Sequence, residues 1–249
     1  METLRTFKAD LHIHTCLSPC ADIGITPSTI VKRAIEKGID IIAVTDHNSA
    51  ENTAAAKKAA EGTGLTVLAG MEIASSEEAH ILALFDDIEG IMRLQDIVYM
   101  NLMPGKNDEK RFGYQIVADE NDVVLGFNKR LLIGAALLTA HSIVKIIHLF
   151  GGLAIASHID RSFFSVISQF GFIPEDIKFD ALEISFRLSR EEAERKFREY
   201  NHIPWISASD SHRIDDIGAR TSTFFIKEPT IAELSSAFKN IDGRKVEWG

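Results

Sequence analysis

The feature that most constrains this chain is a recurrence. Short apolar runs alternate with helix signals along most of its length. The runs lie at about 7–13 (F-K-A-D-L-H-I), 39–45 (I-D-I-I-A-V-T), 65–70, 79–85 (A-H-I-L-A-L-F), 152–157, 180–185 (D-A-L-E-I-S) and 203–209. Near-continuous Ile, Val, Leu and Ala is the pattern of a parallel strand covered on both faces. A further run, 221–227 (T-S-T-F-F-I-K), alternates and reads as an edge strand. Helix signals fall between the runs. Thr26 and Pro27 open one helix that Gly38 closes, and an Ala-rich stretch covers about 49–61. Others span 142–152, 189–200 and 229–239. Alternating strand and helix predicts an α/β fold with a parallel sheet or barrel.

One stretch breaks the rhythm. Residues 86–138 are too long for a plain connection. They hold a helical piece at 88–100, a polar turn region (P-G-K-N-D-E-K-R) and a mixed segment, and read as an insertion over one face of the barrel. The expectation is a single barrel domain over 1–249 with an insertion at about 86–138.

Composition narrows the function classes. The net charge of −9 argues against a broad grip on a nucleic-acid backbone and so against long duplexes. It allows a small phosphorylated substrate, because metal ions can supply local positive charge. Cys16 and Cys20 are too few and too close for a disulfide framework. The first residues lack the apolar core of a signal peptide, and no apolar run is long enough to span a membrane. A cytoplasmic protein with no membrane partner is expected; oligomeric state is left open.

The chemistry-bearing residues gather at strand ends. His12 and His14 share one face at the end of the first strand. Asp46 and His47 follow the second, Glu72 the third, His158 a later one, and Asp210 with His212 another. The C-terminal face of a parallel barrel is where active sites gather. His80 is the exception at a strand start, so either its boundary differs or its strand runs the other way. A lone H-x-H carries little weight, and Asp or Ser at a strand end often caps the next helix. Six of nine histidines at strand ends or starts, along with three carboxylates, together predict a multinuclear site for Zn²⁺, Mn²⁺ or Fe²⁺. No G-x-S-x-G elbow, Walker loop or G-x-G-x-x-G is present to support another nucleophile or a nucleotide fold. His141 and His148, on one helix face, read as surface or packing residues.

D-L-H-I-H-T, T-D-H-N, G-M-E-I, a later H-I-L, S-H-I-D and S-D-S-H occur here in the order of the PHP (polymerase and histidinol phosphatase) superfamily. The chain resembles that family over about residues 8–85 and 150–225. The resemblance implies a distorted seven-stranded TIM-like β/α barrel with two or three divalent metals (Mn, Fe or Zn) and phosphoesterase activity. By position, it implies that His12, His14, Glu72 and Asp210 hold one metal. Glu72, His80 and His158 would hold a second, with His47 and His212 at a third. The family pattern places an Asp directly after the Ser, where this chain has Pro19. Counting back from Thr26-Pro27 nominates Asp22 as the third-metal ligand, carried by a loop three residues longer. Cys16 and Cys20 then read as parts of that loop.

Arg161 and Arg187 are candidate phosphate contacts near the barrel mouth. The motifs and the resemblance imply a phosphoesterase that hydrolyses a small phosphomonoester, such as a nucleotide, sugar phosphate or histidinol phosphate-like compound. The nucleophile would be a metal-bound hydroxide, with Asp210 and His212 as catalytic residues. The alternatives are a phosphodiesterase or exonuclease on short oligonucleotides, and a non-catalytic metal-stabilised partner domain.

Overall fold

The structure is a computed structural model and describes residues 3–248. Eleven strands are present among them. They are β1 (Arg5–Ile13), β2 (Ile41–Val44), β3 (Thr66–Ala74), β4 (His80–Phe85), β5 (Ile116–Ala118), β6 (Val124–Phe127), β7 (Leu153–Ala156), β8 (Ala181–Ile184), β9 (Trp205–Ser207), β10 (Ser222–Ile226) and β11 (Lys245–Trp248). The eight α-helices are α1 (Pro27–Glu36), α2 (Thr53–Ala59), α3 (Ile88–Asn101), α4 (Glu109–Phe112), α5 (Ala140–Leu149), α6 (Val166–Phe170), α7 (Arg190–Lys196) and α8 (Ile231–Phe238).

Nine strands form one curved sheet in the order β11-β10-β1-β2-β3-β4-β7-β8-β9. Its two ends meet where Trp205 and Trp248 pack with ring centroids 5.9 Å apart, so the sheet nearly closes into a barrel. The seven strands expected from the apolar runs are all present. The sheet is mixed, however. β4 pairs antiparallel with both β3 and β7. Its start therefore lies beside the ends of its neighbours, which explains why His80 opens a strand. The run at 221–227 is also not an edge. β10 sits between β1 and β11, antiparallel to both.

The interior is filled by Leu11, Ile41, Leu68, Leu82, Leu84, Ile155, Ile206 and Phe224. α8 closes the end remote from the histidines, with Phe238 packed against Phe224 at 5.8 Å. Outside, α1 and α2 cover Ile42, Val44 and Val67, while α3 and α5 cover Met71, Ile73 and Ile81. α1 starts where sequence rules place it, with a Thr26–Thr29 capping box and Pro27 in the first turn. α3 starts at Asp87, whose side chain accepts the Gly90 amide at 2.8 Å.

The segment between β4 and β7 carries α3, α4 and the separate β5–β6 hairpin. It is bonded to the loops that follow β1 and β2. Asn52 Nδ2 donates to the Ile116 carbonyl at 2.9 Å, and its Oδ1 accepts the Ala118 amide at 3.0 Å. Asn48 Nδ2 donates to the carbonyls of Leu132 and Gly134. The Ile116 amide donates to the Cys16 carbonyl at 2.9 Å.

Gly70 lies on β3 two residues before Glu72. A Cβ there would stand 2.6 Å from Thr45 Cγ2 and 2.8 Å from the Val44 carbonyl oxygen. Backbone cannot yield as a side chain can. Gly70→Ala should therefore lower stability by about 1–3 kcal/mol, read as a lower Tm in calorimetry. An unchanged Tm would contradict this packing of β2 on β3.

Candidate metal centre

Two local devices bring the histidines together. On β1 the register with β2 shifts between Asp10 and Ile13, the mark of a bulge. Ala9 and Leu11 pack in the interior, and beyond the bulge His12 and His14 take over the inward face. At two other positions the backbone is forced into the left-handed region, with φ of 30° at His158 and 50° at Asp210. Such conformations cost on the order of 1–3 kcal/mol each for residues other than Gly, and persist where surrounding structure holds them.

Glu72 stands at the centre and is buried. Its Oε1 lies 3.0 Å from His80 Nδ1, 3.1 Å from His158 Nε2 and 3.4 Å from His12 Nε2. Its Oε2 lies 3.0 Å from His47 Nδ1 and 3.5 Å from His14 Nε2. Five ring nitrogens converge on one carboxylate, more than its lone pairs accept as good hydrogen bonds. His12 Nε2 and His14 Nε2 are only 3.2 Å apart. Asp210 Oδ1 lies 3.3–3.4 Å from both of them. Such crowding of donor atoms suits a cation between them. Three sets have ligand atoms all within 4.8 Å of one another: His12–His14–Asp210, His47–Glu72–His80 and His14–His47–His212.

The outer ring nitrogens are fixed from behind. His12 Nδ1 faces both oxygens of buried Glu183, at 3.0 and 3.1 Å. His14 Nδ1 meets Ser18 Oγ at 3.0 Å, and Ser18 in turn donates to Asp46 at 2.6 Å. Asp46 also accepts the Thr15 amide and hydroxyl, each at 2.7 Å. These contacts turn Nε2 of both rings toward Glu72, as partners of metal-binding imidazoles do.

Charge follows the same plan. Burial disfavours the charged form of every group here. Glu72 is nonetheless held well below the usual carboxylate range by His80, His12 and His47. Asp210 is likewise held low against burial by His12 and His14. Burial also pulls His12 down, yet Glu183, Asp210 and Glu72 outweigh it and hold the ring well above its usual value. His14 moves the other way, lowered by burial and by His212 and His47. Ionised carboxylates and a neutral His14 suit a cation, and binding one at His12 would displace the proton that this ring otherwise keeps.

A cavity of about 410 Å³ opens over the cluster. Its walls include His47, Glu72, His80, His158, Asp210 and His212, with Arg161 and Arg187. The Arg161 guanidinium pairs with Asp210 Oδ2. Asp22 is not brought to this cluster. It is exposed and faces Arg213 at 3.6 Å. Cys20 occupies the wall instead, against His47 and His212. Desolvation pushes its thiol up, but the charge of His47 and hydrogen bonds to His212 and His47 draw it down to about 6. Glu183, Ser18 and Cys20 were not nominated from the sequence. An acid inside the apolar run D-A-L-E-I-S was the available signal for Glu183.

A nearly closed β/α barrel with imidazoles and carboxylates converging at one mouth defines a protein with side-chain clusters that could hold metal ions. The chain belongs to the PHP domain family, whose model matches residues 10–203. An uncharacterized protein of Methanocaldococcus jannaschii is 38% identical over 86 residues, which is 31% of this chain and 50% of that protein. The 5'-3' exoribonuclease Rnm of Salmonella typhimurium is 37% identical over 84 residues, 32% of this chain and 28% of the enzyme. The matched regions thus span half or less of those relatives. Among solved structures, a lesion-specific endonuclease of Pyrococcus furiosus aligns with 97% of this chain and 58% of its own, at TM-score 0.75 and 19% identity. The same kind of alignment holds for endonuclease Q bound to a 27-mer duplex with an abasic lesion at its active site.

Removing Glu183 should loosen the His12 ring. Glu183→Gln is expected to weaken metal affinity by roughly 10–100-fold in chelator competition. Asp22→Ala is expected to leave it unchanged. A loss of bound metal in Asp22→Ala would show that its loop closes over the site.

Proposed function

We propose that this protein is a metal-dependent phosphodiesterase that cleaves nucleic-acid or oligonucleotide backbones. The observation that carries the reading is the convergence on Glu72, beneath a cavity walled by Arg161 and Arg187. The names of its relatives, an exoribonuclease and an endonuclease, support a diester substrate over a monoester. The endonuclease bound to duplex also weakens the argument from net charge against long duplexes. Free Cys16 and Cys20 suit a reducing compartment, so the cytoplasm is the proposed location. No helix among the described residues is long and apolar enough to cross a membrane.

His12, His14, Glu72 and Asp210 would hold one cation, and Glu72, His80 and His158 a second. His14, His47 and His212 would hold a third, with Mn, Fe or Zn the suitable metals. When bound, such ions activate water at neutral pH and neutralise phosphoryl oxygens. The chain's own groups do the rest. Arg161 and Arg187 orient the phosphate through charge-assisted hydrogen bonds. His212, less buried than the other rings, would be free to pass a proton to the leaving oxygen only when it does not hold the third cation.

A small phosphomonoester remains the second reading, because a cavity of about 410 Å³ suits one nucleotide in either case. A Mn²⁺-loaded sample should hydrolyse short oligonucleotides faster than nucleotide or sugar monophosphates, and EDTA should abolish both. His212→Ala should lower kcat by roughly 100-fold or more. Hydrolysis of monoesters alone would favour the second reading. Metal-replete protein inert to every phosphoester would sink the enzyme reading and leave a partner domain.

A further inference from the structure

We propose that Phe163 and Phe164 form a stacking platform for an unpaired nucleobase at the mouth of the metal cavity. The idea deepens the phosphodiesterase reading and rests on it for the nature of the substrate. Both residues lie in D-R-S-F-F-S, between β7 and α6, and both line the cavity. Phe163 is 73% exposed and Phe164 47%. Adjacent large aromatic rings left in water beside a polar site are unusual unless something covers them.

The loop is built to hold them there. Phe164 has φ of 60°, a conformation that a bulky side chain rarely adopts. Its carbonyl accepts the His80 amide at 2.8 Å. Its ring lies against the His80 imidazole, with centroids 4.9 Å apart and planes within 17°. Upstream, the Arg161 amide donates to the His158 carbonyl at 2.9 Å, and Ser165 Oγ donates to the Arg161 carbonyl at 2.8 Å. Strain is thus maintained beside the chemistry, where it fixes a side chain that nothing in the core requires.

The occupant follows from what the mouth offers. Phe163 and Phe164 present flat apolar rings. Arg161, paired with Asp210, and Arg187 line the same cavity. Phe186, 46% exposed, stands 5.9 Å from the Arg187 guanidinium. A ligand with one planar π face and one phosphate matches both. A sugar phosphate has no such face. The chain carries net charge −9, so its overall charge does not favour a backbone. Base stacking near the scissile bond would supply the affinity that charge does not. A paired base inside a duplex is closed to such a ring, so the recognised nucleotide is single-stranded or displaced from its helix.

The test is calorimetric titration of the metal-loaded protein with a phosphorothioate-linked dinucleotide and with its base-free counterpart. The natural protein should bind the base-bearing ligand on the order of tenfold more tightly. Phe163→Ala should erase that preference, and Phe163→Tyr should retain it. Equal binding of the two ligands by the natural protein, or parallel weakening of both in Phe163→Ala, would overturn the platform. Binding needs no turnover, so the two ideas fail separately. Base preference without cleavage of the ordinary dinucleotide refutes only the enzyme reading. Cleavage without base preference refutes only the platform.

Discussion

A carboxylate buried beneath five imidazoles is the constraint on which this molecule depends. Glu72 is almost wholly withdrawn from water, and an isolated charge in that position would be strongly disfavoured. Its negative charge persists because His80, His12 and His47 face it, while Glu183 and Asp210 keep His12 charged. Protein groups alone leave ring nitrogens opposed at 3.2 Å and more imidazoles than one carboxylate can serve. Metal ions bound among them would resolve both conflicts at once.

Much of the fold can be understood as delivering side chains to that point. The β1 bulge re-aims His12 and His14 after Leu11 has filled the interior. The reversal of β4 brings the start of that strand, and hence His80, to the same mouth as the ends of β3 and β7. Left-handed backbone at His158 and Asp210 turns two further side chains inward. The segment between β4 and β7 contributes from outside. Its bonds to Asn52, Asn48 and Cys16 brace the loops that carry His14 and His47. It also sends Ile133 to the cavity wall.

The barrel strands were legible because a strand buried on both faces must be apolar throughout, and seven such runs stand out. The direction of β4 was not legible, since an apolar run reads alike in either direction; only the misplaced His80 hinted at it. β11 was invisible because K-V-E-W is short and half polar. The histidine cluster emerged from shared position at strand ends. Asp22 illustrates the opposite case. Its nomination came from counting along a loop of altered length, and loop length does not fix which side chain turns inward. Here Asp22 meets Arg213 in solvent, while Cys20 reaches the cavity. Glu183 was hidden for a different reason. Its work is done through His12, and no spacing rule along the chain connects residues 171 positions apart.

We propose that Glu72 is shared between bound cations. Anomalous diffraction at the manganese edge, from crystals grown with Mn²⁺, tests it most directly. More than one anomalous peak is expected within coordination distance of the cluster, with Glu72 between two of them and Asp210 on one. A map with no peak beside Glu72, its carboxylate bonded only to protein groups, would contradict it.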